Sequence, residues 1–239
     1  MPLKQVKVMA SDSVVLTSAA QMKKSAHFWV SSYPFFQSSL FFAPAPSGAE
    51  PAEVYLQLYD PDGMVFNELT VQPQFGSVGI VEMEPLLGAC KLESGFKHAH
   101  LVVQSTNLVR AWTRIHGNIS ATLQSEPAEV SLHHTSFLPI TLGEERTSLV
   151  ALVNQSESAQ NIRLRLYFGK RLPEVQVSIA ARGARLVNIP VEFGEYLPRD
   201  GRSYPAYIRI SSVSDRPCGV QLVEVIKTEK EGNIFASVS

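Results

Sequence analysis

The chain repeats itself once, and this internal duplication constrains its fold more than any other sequence feature. Leu56 and Leu58 match Leu164 and Leu166 in the second half of the chain. Four further pairs of segments match in the same order, and each pair is separated by nearly the same number of residues; one such pair is residues 39–43 with 148–152. Such a period, roughly 110 residues, is the length of a whole sandwich domain and not of a solenoid unit. The sequence therefore predicts two domains of one design.

Alternating side chains indicate that both domains are built of short strands. Ile162, Leu164 and Leu166 share one face of a predicted strand, and Arg163 and Arg165 share the other. Turn-forming Pro, Asp and Gly residues separate such segments, as in the turn predicted at residues 60–63, whereas helical periodicity is almost absent. This pattern predicts an all-β chain of two tandem immunoglobulin-like antiparallel β-sandwich domains.

A polar stretch with a proline, residues 124–127, marks the expected domain boundary. We assign residues 1–125 to the first domain and residues 126–239 to the second. The first domain holds 8 of the 12 phenylalanines, and the second holds all arginines except Arg110 and Arg114. The linker is short, so we expect the two domains to pack together.

Charge and hydropathy exclude several classes of protein. The net charge is −1, so no nucleic-acid partner is expected. No secretory signal is recognised at the N-terminus, and no apolar run approaches the roughly 20 residues that span a membrane. We therefore expect a cytoplasmic protein without membrane insertion. Cys90 and Cys218 are isolated from each other in sequence, and no cofactor is predicted.

A rhythm of strands and turns runs through residues 28–34, 152–154, 162–167, 179–185, 207–212 and 216–221. In this rhythm the second half, and more faintly the first half, resembles the sensory rhodopsin transducer family of small bacterial β-sandwich proteins. The resemblance implies a non-enzymatic cytoplasmic module that associates with itself and binds a protein or a small ligand. It covers about 100 residues, the length of one sandwich domain, as a rhythm of strands and turns.

No catalytic motif is found, so no catalytic residue is assigned and a non-enzymatic protein is predicted. A histidine-metal enzyme is the third hypothesis. His98 and His100 are two positions apart on a predicted strand, so they share a face that His116 could join from a neighbouring strand. A surface or loop-edge role is the favoured interpretation of these histidines, and no metal site is assigned.

Clustered aromatic residues in the first half provide the candidate partner surface. Phe35 and Phe36 are adjacent, as are Phe41 and Phe42. Adjacent residues of a strand point to opposite faces, so one of each pair leaves the core of its own sheet. That ring contacts either the other domain or a protein partner, which includes a second copy of the chain.

Arginines of the second half provide the candidate ligand site: Arg163, Arg165, Arg182 and Arg185. Guanidinium groups bind phosphates and carboxylates, although arginines on strands also serve as soluble edge protection. The leading functional hypothesis is an interaction or scaffold module, and the alternative is a module that binds a carbohydrate or a small anion. We also expect residues 1–125 alone to aggregate or dimerise, and residues 126–239 alone to stay soluble.

Overall fold

The computed structural model describes residues 24–33, 36–43, 53–72, 78–90, 92–93, 96–105, 110–117, 121–124, 128–170, 172–228 and 232–238. Nearly all regular structure in these ranges is β-strand, and the strand pairings are antiparallel. The predicted fold of tandem antiparallel β-sandwiches is confirmed. The predicted domain boundary after residue 125 falls outside the described residues.

The first sandwich is one continuous sheet folded into two layers. Its strand order is β4-β3-β7-β1-β2-β8-β9, with β5 beside β2 and β6 beside β7. β1 and β2 pair only at Ser32 with Gln37 and at Tyr33 with Phe36, so the sheet turns over at that point. The elements are β1 (Lys24–Tyr33), β2 (Phe36–Phe42), β3 (Val54–Tyr59), β4 (Val65–Val71), β5 (Gly79–Glu82), α1 (Met83–Leu86), β6 (Leu92–Glu93), β7 (Phe96–Ser105), β8 (Ala111–Gly117) and β9 (Ala121–Gln124).

The second sandwich consists of two separate sheets. One has the order β10-β17-β12-β15 with β18 also on β17, and the other has the order β11-β16-β13-β14. The strands are β10 (Ala128–Val130), β11 (Ser136–Leu142), β12 (Arg146–Asn154), β13 (Gln160–Tyr167), β14 (Glu174–Ile179), β15 (Ala184–Asn188), β16 (Tyr204–Ser212), β17 (Cys218–Thr228) and β18 (Gly232–Val238). A short helix, α2 (Ile189–Glu192), follows β15.

The two sandwiches share one strand order. The layer β4-β3-β7-β1 corresponds to β14-β13-β16-β11, and β5-β2-β8 corresponds to β15-β12-β17. Core-facing Leu40 of β2 corresponds to core-facing Val150 of β12. The sequence alignment of residues 39–43 with 148–152 places Leu40 on Leu149 instead. That sequence alignment was therefore wrong by one position for this strand. A shift of one position moves every side chain of a strand to the opposite face.

The strand order of the second sandwich differs from that of the predicted immunoglobulin-like fold. An immunoglobulin sandwich places its sixth and seventh strands side by side in one sheet. Here the sixth and seventh strands of the second sandwich, β15 and β16, lie in different sheets, and β16 pairs with β11 and β13. Most successive strands alternate between the two sheets, which is the arrangement of a jelly roll.

A third apolar cluster joins the two sandwiches. Trp29, Tyr33, Phe36 and Ile115 of the first sandwich pack on side chains from β12, β15 and β17 of the second. Those side chains are Leu149, Ala151, Val153, Ala184, Leu186, Val223 and Val225. β12 is consequently buried on both faces from Ser148 onward, whereas β13 alternates between buried and exposed residues. The layer containing β1 and β7 is thus covered on its outer side.

Candidate functional site

The outer face of the layer β4-β3-β7-β1 is the closed face, because the second sandwich covers its centre. One row of residues crosses it from Tyr59 through His100 to Trp29, which are register partners on β3, β7 and β1. Trp29, His98 and His100 are fully buried there. The indole Nε1–H of Trp29 donates to Nδ1 of His98 over 3.3 Å.

A hydrogen-bonded chain of two imidazoles ends on the second sandwich. Nδ1–H of His100 donates to the backbone carbonyl of Arg182 at 2.7 Å, since a carbonyl can only accept. Nε2 of His100 is then the acceptor, and Nδ1–H of His27 donates to it at 2.9 Å. Burial, with smaller contributions from the charges of His27 and Arg182, lowers the pKa of His100 to about 3. Burial and the Arg182 charge lower the pKa of His27 to about 4. Both rings are therefore neutral at pH 7.

Arg182 is held by its own sandwich in the conformation that presents this carbonyl. Its φ of 57° lies in the left-handed region, which a residue with a side chain seldom adopts. Nη1 of Arg182 donates to the Gln155 carbonyl at 2.8 Å, and the guanidinium also pairs with Glu157. These contacts stabilise the strained turn between β14 and β15.

The side chain of Asn154 stabilises the same turn through hydrogen bonds to backbone carbonyls. Its Nδ2 donates to the carbonyls of Ser158 and Ala180 at 2.8 and 2.7 Å, and its Oδ1 accepts from Gln160 at 2.9 Å. Asn154 is fully buried, so the Asn-Gln-Ser sequence at residues 154–156 is not an accessible glycosylation site.

Two glycines allow the sandwiches to approach each other backbone to backbone. Gly63 ends the turn between β3 and β4 with a φ of 80°, and a Cβ built there would overlap the carbonyl oxygen of Ala181. A Cβ on Gly183 would lie 2.5 Å from the carbonyl oxygen of Pro61. The turn predicted at residues 60–63 is thus both a hairpin turn and a docking element.

The outer face of β14-β13-β16-β11 is the open face, the counterpart of the closed face in the second sandwich. Tyr207 corresponds to His100 and pairs with Tyr167, as His100 pairs with Tyr59. Phe137 and Tyr207 are 58% and 54% exposed, so no described residue covers the centre of this face. Its outward side chains include Phe137, Arg163, Arg165, Tyr167, Glu174, Gln176, Tyr207 and Arg209.

One substitution changes the chemistry at the centre of the two faces. On the closed face Val102 lies between Gln57 and His27, and it is buried. At the corresponding position on the open face Arg209 lies between Arg165 and Phe137. An arginine is costly to bury against an apolar sheet without a partner, so the open face is not a second docking surface of the same kind.

The guanidinium group of Arg209 is incompletely hydrogen-bonded. Its Nε is buried and meets no acceptor among the described residues, a deficit that costs about 1–3 kcal/mol. Arg165, directly opposite, is paired: its Nε and Nη2 lie 2.9 and 2.6 Å from Oε2 of Glu174. Like charges directly opposite on neighbouring strands destabilise a sheet, so this pairing neutralises one cation and leaves the other.

The predicted aromatic surface is divided among three environments. Phe42 is fully buried in the core of its own sandwich and Phe36 in the cluster between the sandwiches, so neither is available to a partner. Phe41 is half-buried on the outer face of β2, where its ring stacks on Trp112 with centroids 6.0 Å apart. Phe35 lies outside the described residues.

The predicted arginine site is also divided. Arg163 and Arg165 lie together on the open face, on one side of β13. Arg182 belongs to the junction between the sandwiches, and Arg185 lies on β15 in the other sheet of the second sandwich. The sequence reasoning missed Arg209, which joins this site only because β16 pairs with β13.

The three histidines considered for a metal do not converge. His98 and His100 point into the junction, whereas His116 lies on β8 in the other layer and contacts Oγ of Ser39 at 3.2 Å. Across the described stretches no group of three or more His, Cys, Asp or Glu side chains is placed to hold a metal ion. Complete burial of His98 and His100 contradicts the surface role considered for them.

Comparison with known proteins adds little to this picture. No protein-family model matches the chain, and no curated protein does. The chain is similar to the N-terminal CBM22-1-CBM22-2 tandem domain of Paenibacillus barcinonensis Xyn10C, at 10% identity over 87% of this chain and 82% of that one. The TM-score of 0.23 is too low to carry an argument. The resemblance to the sensory rhodopsin transducer family stays a prediction. Within the described residues, the helices are too short to cross a bilayer.

Proposed function

We propose that the protein is a non-enzymatic binding module that takes a small ligand, a carbohydrate or an anion, on its open face. The observation that carries this proposal is the exchange of Val102 on the closed face for Arg209 on the open face. The same topological position holds a buried valine on the face that the second sandwich covers and a cation on the face that no described residue covers.

Exposed rings beside that cation support the same proposal. Aromatic side chains that frame a polar group are typical of small-ligand sites, where rings supply contact area and a few polar atoms fix orientation. Phe137 and Tyr207 supply such rings next to Arg209, and Tyr167 contacts Phe137 with ring centroids 6.3 Å apart.

A thermal-shift screen of the full-length protein tests the proposal. The panel contains neutral oligosaccharides, acidic sugars, inorganic phosphate and nucleotides at millimolar concentration. A ligand that binds only the folded state raises the melting temperature, by the equivalent of about 2.7 kcal/mol at a hundred times its dissociation constant. We expect Phe137→Ala combined with Tyr207→Ala to abolish the response. Val191→Ala, an exposed apolar residue on α2, should retain it. A flat response across the panel contradicts the proposal.

A protein partner, including a second copy of the chain, is the second candidate function. The stacked pair of Phe41 and Trp112 favours it, because both rings are only half-buried on the outer face of β5-β2-β8. The corresponding face of the second sandwich packs on a protein surface. Light scattering over a range of concentrations, with Phe41→Ser as the comparison, tests this candidate. A strict monomer at all concentrations counts against self-association.

A further inference from the structure

Arg209 has a chemical requirement that the described part of the chain does not meet. Its buried Nε–H has no acceptor there, and the carboxylate of Glu174 on the same face is paired with Arg165. That acidic side chain therefore balances one of two opposed guanidinium groups. An anion with acceptor oxygens that approaches from the outer side of the sheet would meet this requirement.

The position of Arg209 within the sheet decides which anion fits. β16 lies between β11 and β13, so its backbone N–H groups are used by the ladders on both sides. Phosphate sites rely on converging backbone N–H groups at turns or helix ends, and the middle of a sheet offers none. A planar guanidinium matches the paired oxygens of either anion, and one unpaired guanidinium balances the single charge of a carboxylate more closely than the roughly two charges of a phosphate monoester.

The surroundings of Arg209 also indicate what the carboxylate is attached to. Phe137 lies directly across from Arg209 on β11, and Tyr207 lies two positions away on the same face of β16. Both rings are more than half exposed, so they can accept the flat C–H face of a sugar ring. A carboxylate borne on a pyranose ring satisfies both features at once.

From this geometry we infer that the open face binds acidic sugars, with Arg209 holding the carboxylate of a uronic acid residue between Phe137 and Tyr207. The inference rests on the proposed function and names the class of ligand for the same face. Arg165 has its own carboxylate in Glu174, and Arg163 lies further along β13, opposite Ser211. Arg209 is therefore the arginine beside Phe137 and Tyr207 that selects for charge.

Isothermal titration of the full-length protein with trigalacturonate, and with the same trisaccharide as its methyl ester, tests the inference. The ester keeps the sugar rings and removes the charges. We expect binding of the acid and a loss of about ten- to a hundredfold for the ester, the range of a charge-assisted hydrogen bond.

Variants locate the site. Arg209→Val introduces the residue of the closed face, and it should weaken trigalacturonate binding about ten- to a hundredfold without lowering the melting temperature. Arg209→Lys keeps the charge but loses the fork, so binding should weaken here as well. Arg114→Met removes an exposed arginine from the first sandwich and should leave binding unchanged.

The possible outcomes separate this inference from the proposed function. Equal affinity for acid and ester overturns the inference and leaves a module for neutral sugars. Acid binding that survives Arg209→Val also overturns the inference, because the site lies elsewhere. Tighter binding of hexaglutamate than of trigalacturonate assigns the carboxylate to a protein partner and overturns the sugar assignment. No binding by any member of the full panel overturns both.

Discussion

The closed face and the open face occupy the same place in two copies of one topology, and only their side chains differ. Along the central row the first sandwich carries Tyr59 and His100 where the second carries Tyr167 and Tyr207. The imidazole of His100 donates to a backbone carbonyl of the neighbouring sandwich, whereas the Tyr207 ring is exposed. The difference teaches that duplication supplies two equivalent surfaces and that a few substitutions decide which becomes an interface and which a site.

Separating the two sandwiches is the strongest way to break this comparison. Residues 1–125 alone would expose Trp29 and Phe36, so we expect them to bind a hydrophobic dye and to aggregate or dimerise. The structure changes the expectation for residues 126–239, because Leu149 and Val223 lose their cover as well. Both halves should therefore bind the dye, and mixing them should restore a one-to-one complex.

Sedimentation and dye fluorescence of the two halves, with the intact chain as the control, measure this effect. A clean monomer of residues 1–125 that does not bind the dye would mean that the junction contributes little to covering the closed face.

Trp29→Ala removes the largest fully buried side chain of the junction and leaves the open face untouched. We expect the free energy of unfolding to fall by about 3–5 kcal/mol, as for other large core truncations. Tyr207→Ala, at the position that corresponds to His100, should change it by less than about 0.5 kcal/mol. Urea denaturation measures both values, and equal losses would contradict the assignment of closed and open faces.

Gly63→Ala tests the backbone contact between the sandwiches. The new Cβ would overlap the carbonyl oxygen of Ala181, at a φ of 80° that disfavours any side chain. We expect a loss of about 2–4 kcal/mol, or a visible separation of the two sandwiches in small-angle scattering. Gly201→Ala is the matched control, since its φ is also positive at 71° but no atom of the described residues lies within 4 Å of a Cβ built there. If both variants lose the same stability, the strain of φ explains the loss without a clash.

Lowering the pH should lower the free energy of unfolding through the two buried histidines of the closed face. His100 has a pKa of about 3 when folded, lowered by burial, against about 6.5 when unfolded. The unfolded chain therefore binds a proton that the folded chain excludes, and stability is full above pH 6.5 and falls as pH drops towards the folded pKa. At pH 4.5 the loss from His100 is about 2–3 kcal/mol. His27, whose folded pKa is about 4, adds to the loss in the same direction.

Urea midpoints at pH 7.5, 5.5 and 4.5 measure this dependence. The charged or titratable groups facing the pair are Arg182, Tyr59 and, through Arg182, Glu157. His27→Phe introduces the residue found at the corresponding position, Phe137, and removes one titrating ring. The variant should lose less stability between pH 7.5 and 4.5 than the wild type, and parallel curves would rule out a role for His27.

Local patterns in the sequence were sufficient to predict the strands, the turns and the duplication. Alternation of residues 162–167 and the Asp-Pro-Asp-Gly turn at residues 60–63 depend on neighbours in the chain, and both are found as expected. One tertiary signal was also present in the sequence. The unbroken apolar run from Leu149 to Val153 is typical of a strand covered on both faces, and it marks the junction.

Only the tertiary structure decided which residues meet. Phe36 and Phe42 lie on one strand and share its parity, yet one joins the junction and the other the core of its own sandwich. Arg209 meets Arg165 because β16 and β13 are neighbours in the sheet, although other elements separate these two strands in the chain. The sequence by itself determined the repeat and its strands, because these depend on local propensity and periodicity. The closed face, the open face and the position of Arg209 depend on contacts between distant segments, and such contacts exist only once the chain has folded.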